Sequence, residues 1–275
     1  MSPVITLNNG VQIPQLGFGV FQVPAQETER VVSTALEVGY RSIDTAAAYG
    51  NEEGVGRAVA SCGLARDEVF VATKLWNAHH GYDQALRAFD ESARRLGLDI
   101  VDLYLIHWPV PSLDRYVETW KALEKLASDG RVRAIGVSNF TADHLRRLVA
   151  ETATVPAVNQ VELHPYFPQP ELRAVHAGYG IATEAWSPLA QGGELLSDAT
   201  ITGLADRYAV TPAQVVLRWH LQLGNIVIPK SVTPARIQEN FDVSNFDLST
   251  ADLATIAPLT TGNRLGDDPT TFALT

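Results

Sequence analysis

Hydrophobic positions along the chain follow two alternating rhythms. In a first segment, Val4–Ile13, two short apolar runs flank Asn9-Gly10. That dipeptide suits a type I′ turn, whose central residues both take positive φ, so the segment predicts a terminal β-hairpin. From there, β-rich runs alternate with segments of helical period. The runs fall at Leu16–Gly19, Arg41–Asp44, Val69–Lys74, Val101–His107, Arg133–Asn139, Ala157–Val161, Ile181–Trp186 and Ile226–Lys230. The helical stretches are Gln26–Val38, Glu52–Cys62, Tyr82–Leu96, Leu113–Ser128, Ala142–Val149, Glu171–Ala177, Ala199–Tyr208 with Pro212–Leu223, and Pro234–Phe241. Eight strands alternating with helices, without a long linker, predict an α/β fold: one (β/α)₈ TIM barrel domain over residues 1–275, preceded by the hairpin. The competing architecture is a doubly wound open sheet, but Gly17-Phe-Gly19-Val-Phe-Gln22 lacks the third glycine of a dinucleotide-binding turn. Thr211-Pro212 and Thr233-Pro234 put a capping hydroxyl before a proline suited to the first helical position. Gly39, Gly97, Gly130 and Gly178 follow helical segments, where a left-handed residue commonly ends a helix.

Composition narrows the function classes. No run of 18 or more apolar residues occurs, so no membrane span is expected. The first residues lack a basic region followed by an apolar core, which predicts a cytoplasmic protein without a secretory signal. Cys62 is the only cysteine; it excludes an internal disulfide, fits a reducing compartment, and reads as a small buried or half-buried side chain. The net charge of −10 argues against nucleic acid or an acidic membrane as partner. An anionic ligand would need a locally basic pocket. His79-His80 lacks a third ligand at metal spacing, so no metal is expected.

In a parallel barrel, function gathers at the C-terminal ends of the strands. Here those ends are polar or aromatic: Asp44, Lys74, His107-Trp108, Ser138-Asn139, Asn159-Gln160, Trp186-Ser187 and Lys230-Ser231. Period two puts Lys74 on a face with Phe70 and Ala72, and His107 on a face with Val101, Leu103 and Leu105. If those faces line the barrel, Lys74 and His107 meet at its mouth on adjacent strands. Asp44, one strand further round, can reach Lys74, and the loop from Thr45 can fold Tyr49 over the same spot. Taken singly, Asp44–Lys74 could be a structural ion pair, His107 an interior histidine and Tyr49 a loop anchor. Together they describe a general acid–base. An adjacent ammonium favours the phenolate and should bring tyrosine below its usual ~10. A carboxylate keeps the lysine charged, and a histidine orients the substrate oxygen. Such a group can protonate the alkoxide left by hydride addition to a carbonyl.

At these residues the chain resembles the aldo-keto reductase family over essentially its whole length. The segments that carry the resemblance are Gly39–Glu52 around Asp44 and Tyr49, Val71–Trp76 around Lys74, and Val101–Pro109 around His107. Gly136–Phe140, Asn159–Tyr166 and Ile228–Asn240 complete it. The resemblance implies that Tyr49 is the proton donor, that Lys74 and Asp44 tune it, and that His107 orients the carbonyl. It implies NADP(H), with its nicotinamide stacked on Trp186 and hydrogen-bonded by Ser138, Asn139 and Gln160. Gly19 and Ser187, Pro188 and Leu189 join the cofactor contacts. Lys230, Ser231, Val232 and Arg236 flank a helix start that favours anions, supplying the basic pocket, and Arg236 can read a 2′-phosphate in bidentate fashion. Glu239 and Asn240, one turn on, fit adenine contacts.

Among relatives the chain is most similar to the prokaryotic-type branch that includes 2,5-diketo-gluconate reductases. The short stretch Val110–Asp114 and the ~20 residues after Leu253 imply a shallow pocket, walled by Phe21, Trp76 and Trp108 beside His107. That suits small aldehydes, ketones or dicarbonyls, diketo sugar acids among them, and the family pattern implies a monomer. Two rival functions stand at this level: a Schiff-base lyase of the class I aldolase kind using Lys74, which needs an uncharged lysine, and a non-enzymatic cofactor-sensing module.

Overall fold

The computed structural model describes residues 3–275. Strand β1 (Val4–Thr6) pairs antiparallel with β2 (Gln12–Pro14), Ile5 opposite Ile13. The connecting turn differs from the expected type I′. Gly10 alone takes positive φ, at 85°; its N–H donates to the Leu7 carbonyl, and the Leu7 N–H to that of Val11. This is the three-residue loop in which a glycine bulge follows an ordinary turn, so Asn9 is spared the left-handed region.

Among the described residues an eight-stranded sheet follows, every neighbouring pair parallel. Its strands are β3 (Phe18–Gly19), β4 (Ser42–Asp44), β5 (Phe70–Leu75), β6 (Val101–Ile106), β7 (Val132–Ser138), β8 (Val158–Glu162), β9 (Ala182–Trp186) and β10 (Ile226–Val227). The sheet closes through a parallel bridge between Leu16 and Val227 and a hydrogen bond from Gly19 N–H to the Pro229 carbonyl. A Cβ on Gly19 would lie 2.9 Å from the Ile228 carbonyl oxygen, so closure requires glycine there. Helices α1 (Ala25–Val38), α2 (Glu52–Ser61), α3 (Tyr82–Leu96), α4 (Tyr116–Ser128), α5 (Ala142–Glu151), α6 (Pro170–Tyr179), α7 (Ala199–Tyr208), α8 (Pro212–Gln222), α9 (Pro234–Phe241) and α10 (Thr250–Ile256) complete the chain. The fold is the expected (β/α)₈ barrel with its N-terminal hairpin.

Burial divides as the strand period requires. Phe70, Ala72, Leu103, Leu105, Ala134 and Val158 pack inside the barrel, where Leu7 and Ile13 of the hairpin segment join them. Val31, Phe89, Tyr104, Trp120 and Leu217 belong to the larger core between sheet and helices. Val101, expected on the inner face, packs with this outer core.

Several boundaries depart from the pattern. β8 runs on to Glu162, whereas the last strand stops at Val227, since Pro229 has no N–H to continue a ladder. Helix α4 starts at Tyr116, not Leu113, because Val110 and Asp114 take positive φ and break the first turn. Helix α6 contains Gly178 and ends at Gly180, φ 69°. Thr211 accepts from the Gln214 N–H as a cap, but Thr233 does not cap α9; Ser231 Oγ accepts from the Thr233 N–H instead. Helix α10 was not expected and is capped by Ser249, which accepts from the Asp252 N–H. Cys62 is half-buried. No helix among the described residues is long and apolar enough to cross a membrane.

Beyond α10 the chain returns to the C-terminal ends of the strands. Leu265 and Gly266 donate their N–H groups to the buried Glu162 carboxylate at 2.6 and 2.9 Å. Phe272 stacks on Trp108 with ring centroids 4.3 Å apart, and the Leu274 carbonyl accepts from Asn77 Nδ2.

Candidate active site

Lys74, near the end of β5, points into the barrel mouth and is fully buried. Its Nζ donates to Asp44 Oδ2 at 2.6 Å, to the Thr45 carbonyl at 2.8 Å and to Tyr49 Oη at 3.4 Å. Asp44 ends β4, and Tyr49 ends a short 3₁₀ turn in the loop that follows. That loop is held by Asn51, which accepts from Thr45 Oγ1 and donates to the Val20 carbonyl. His107, just past β6, presents its ring edge to Tyr49 at 5.7 Å and to Trp76 at 5.4 Å. Phe21 lies 5.1 Å from the Tyr49 ring and is exposed at the rim. Trp108 is buried beneath Phe272, so that part of the mouth is walled by the returning C-terminal segment as well.

The charges settle into one pattern. Burial draws the Lys74 ammonium down, but Asp44 and Tyr49 more than offset it, and the group is held above its ordinary value. For Tyr49 the balance is opposite to the sequence-based expectation. Burial pushes its hydroxyl up, Lys74 pulls it down, Asp44 pushes it up again, and the net shift is upward. The neighbouring ammonium acts as anticipated, but desolvation of the phenolate outweighs it. Tyr49 is therefore a protonated phenol, ready to donate. His107 sits well below the usual imidazole range, through burial first and the Lys74 charge second, and is neutral. Its Nδ1 is buried without a partner among the described residues. An orphaned N–H is the costlier kind, so we assign the ring proton to Nε2.

One member of this layer went unread in the sequence. Gln160 Nε2 donates to Asp44 Oδ1 at 2.8 Å and also to Glu184 Oε2 at 3.1 Å. Glu184 is 1% exposed, and burial, with the Asp44 charge beside it, pushes its carboxyl up to about 8. The available signal was a lone carboxylate two residues before Trp186, hence on the same strand face, inside the run Ile181–Trp186. Glu162, which anchors the returning segment, was also missed.

The residues expected to meet a nicotinamide lie beside this layer. Ser138 Oγ donates to the Gln160 carbonyl, and Asn139, at φ 64°, donates its side-chain amide to the His107 carbonyl and to Ser138 Oγ. Trp186 Nε1 donates to Asn139 Oδ1 at 2.8 Å. A Cβ at Gly266 would fall 2.5 Å from the Trp186 ring, so only glycine passes over the indole. After β9, Ser187 takes φ 47°, the Pro188 carbonyl lies 3.2 Å from His220 Nε2, and Leu189 packs on the outer core.

The remaining expected contacts group around α9. Lys230, Val232 and Arg236 are exposed and Ser231 is buried; neither Lys230 nor Arg236 forms an ion pair with a described residue. Glu239 accepts from Thr211 Oγ1, and Asn240 is buried. Gly19 is committed to barrel closure, as described above. The donor set suits a dinucleotide phosphate: side-chain amides for a carboxamide, an indole face for an aromatic ring, and free cations at a helix start for phosphate.

Comparison with known proteins agrees with this chemistry. Residues 15–260 match the model of the Aldo/keto reductase family. An aldo-keto reductase of Mycolicibacterium smegmatis is 61% identical, covering 100% of both chains. Methylglyoxal reductase DkgA of Escherichia coli K12 is 53% identical over 270 residues, 98% of each chain. Among solved structures, a Gox0644 mutant in complex with NADPH superposes with TM-score 0.95 at 50% identity and 99% coverage of both chains. The Bombyx mori aldo-keto reductase in complex with NADP gives 0.91 at 38% identity, covering 97% of this chain and 95% of that one. With this match over its length, the chain belongs to the aldo/keto reductase family and is an NADP(H)-dependent oxidoreductase of carbonyl compounds.

Proposed function

We propose that the protein reduces small aldehydes, ketones and above all dicarbonyls of the methylglyoxal type, with Tyr49 as general acid. The observation that carries this reading is the Lys74 ammonium, bound at once to Asp44 and to the Tyr49 hydroxyl. When bound, the reduced nicotinamide supplies hydride to the carbonyl carbon. Tyr49 gives its Oη proton to the carbonyl oxygen as negative charge develops there, and Lys74 stabilises the phenolate left behind. Asp44 holds Lys74 charged and in place. His107 donates its Nε2–H to the same oxygen and fixes its direction. Phe21, Trp76 and Trp108, with Phe272 across it, give a small aromatic pocket suited to compact substrates.

On the cofactor side, Ser138, Asn139 and Gln160 hold the carboxamide and Trp186 the ring face. Gly19 and Ser187, Pro188 and Leu189 line its path, Lys230, Ser231, Val232 and Arg236 take the 2′-phosphate, and Glu239 and Asn240 the adenine. The methylglyoxal reductase of Escherichia coli K12, at 53% identity, supports the dicarbonyl preference. The Schiff-base alternative loses support from Lys74 being held charged, since a nucleophilic amine must be neutral. We take the protein to work as a single-domain cytoplasmic monomer; sedimentation of the purified chain tests the monomer. The functional test follows NADPH consumption with methylglyoxal, an aromatic aldehyde and a diketo sugar acid, with NADH in parallel. Fast turnover of methylglyoxal with a strong NADPH preference is expected; no turnover of any of the three would overturn the reading.

A further inference from the structure

Glu184 takes no part in the reaction just described, yet it belongs to the same buried layer. In the β8–β9 ladder its Cα is the partner of Gln160, and in β9–β10 that of Ile226, so its strand neighbours carry no charge. It lies one pleat below Trp186 on the inner face of β9. The titratable and charged groups facing it come from across the barrel: Asp44 on β4, Lys74 on β5 and Tyr49 in the loop after β4. Gln160 Nε2 is shared between the Glu184 and Asp44 carboxyls.

The charges in this layer can be counted. Asp44 and Lys74 cancel as a 2.6 Å pair, Tyr49 is a neutral phenol, and His107 is neutral. An ionised Glu184 would leave one uncompensated negative charge in a closed, water-poor layer, which is strongly unfavourable. As a neutral acid it leaves the layer balanced. The oxidised nicotinamide carries one positive charge and the reduced ring none. If Gln160 holds the carboxamide, as the function proposed above requires, that charge arrives one side chain away from Glu184.

We infer that Glu184 is a proton store matched to the redox state of the cofactor: its carboxyl gives a proton to bulk solvent when NADP⁺ binds and keeps it when NADPH binds. The process is a simple ionisation, RCOOH to RCOO⁻ plus H⁺, with the nicotinamide charge as the new partner of the carboxylate. An incoming positive charge lowers the carboxyl's value from about 8, so NADP⁺ binding releases a proton in the window below that value. Through that window NADP⁺ affinity climbs with pH, by up to about tenfold per unit, and levels off above it, whereas NADPH affinity does not follow. The 2′-phosphate is common to both cofactors and cancels in the comparison. The site would thus release its oxidised cofactor more readily at low pH.

The test is cofactor binding in weakly buffered solution near neutral pH, with a dye reading proton release and tryptophan fluorescence reading affinity. Wild-type protein should release close to one proton per NADP⁺ bound beyond that for NADPH. Glu184→Gln should abolish the difference and flatten the pH dependence of the affinity ratio, while Tyr49→Phe should keep both. Binding of both cofactors with equal proton balance would overturn this inference alone. Failure of either cofactor to bind would overturn the reading of the site beneath it. Loss of the difference in Tyr49→Phe with retention in Glu184→Gln would assign the proton to the phenol and overturn the proposal. If Glu184→Gln does not fold, the wild type and Tyr49→Phe still decide, since the proton must survive loss of the phenol.

Discussion

At the scale of single residues, the site depends on which groups hold protons. Tyr49→Phe removes the proposed acid but leaves Asn139, Gln160 and Trp186 in place. Turnover should fall by ~10²–10⁴, the usual contribution of a general acid, while NADPH binding measured by fluorescence stays unchanged. The phenol must be protonated to act, and its value is raised, so the active window extends upward. Carbonyl reduction should therefore lose its chemical step only above the ordinary tyrosine value of ~10, and His107, neutral throughout, should add no acid limb near pH 6. A limb between pH 7 and 9 in a single-turnover profile that persists in Glu184→Gln would contradict the assignment. Lys74 carries a structural consequence too. Lys74→Met leaves the buried Asp44 carboxylate without its counter-ion and should cost ~3–5 kcal/mol in denaturant unfolding, much of it recovered in Asp44→Asn/Lys74→Met. Asp44, Lys74 and His107 were legible in the sequence because strand period and strand ends place them together. The direction of the Tyr49 shift was not, because desolvation depends on what the rest of the chain packs around the hydroxyl. Glu184 escaped for a similar reason: it lies one pleat below the strand end, and only the register of the neighbouring strands brings it to the Gln160 side chain that Asp44 also uses.

Among elements, the segment after α10 departs most from what the sequence conveyed. Strand and helix alternation was readable because each element has its own hydrophobic period. The path of residues 260–275 was not, since it has no period and is held by contacts more than a hundred residues away. Helix α10 had a legible signal, Ser249 three residues before Asp252, which forms the capping box seen in the structure. The shortening of the last strand follows from Pro229, and the late start of α4 from the left-handed Val110 and Asp114, whose conformations no propensity foretells. Glu162 is the point on which the returning segment turns. Burial raises its carboxyl, but hydrogen bonds from His164, Leu265 and Gly266 outweigh this and hold it below the ordinary range. Because the folded value is depressed, this stabilisation is present above the unfolded value of ~4.3 and is lost as pH falls through the folded one. Glu162→Ala should free the two amides. We expect faster hydrogen exchange over residues 265–275, a severalfold rise in substrate KM and little change in NADPH affinity. Unchanged exchange in that segment would show that Phe272 and Leu274 hold it without Glu162.

For the whole molecule, the net charge of −10 opposes an anionic cofactor, yet NADP(H) must bind. The two effects act over different distances. The global field reaches outward and is felt during approach, so at low salt it slows association. The proposed phosphate ligands Lys230 and Arg236 would act at contact range around the start of α9, where neither is spent on an ion pair within the described chain. The Debye length is ~30 Å at 0.01 M salt and ~8 Å at 0.15 M, so added salt removes the long-range repulsion first. Stopped-flow association of NADPH should accordingly become faster as salt rises through this range. Dissociation should quicken as well, because the exposed cations are also screened, and at higher salt this second effect should dominate and weaken equilibrium binding. Arg236→Met separates the two. It should weaken NADPH by ~1.5–3 kcal/mol, the range for hydrogen bonds to a charged group, and leave NADH nearly untouched. It should also retain the salt acceleration of association while losing much of the salt sensitivity of dissociation. If the variant weakened both cofactors equally, the 2′-phosphate would be held elsewhere, and Lys230 would be the next residue to change.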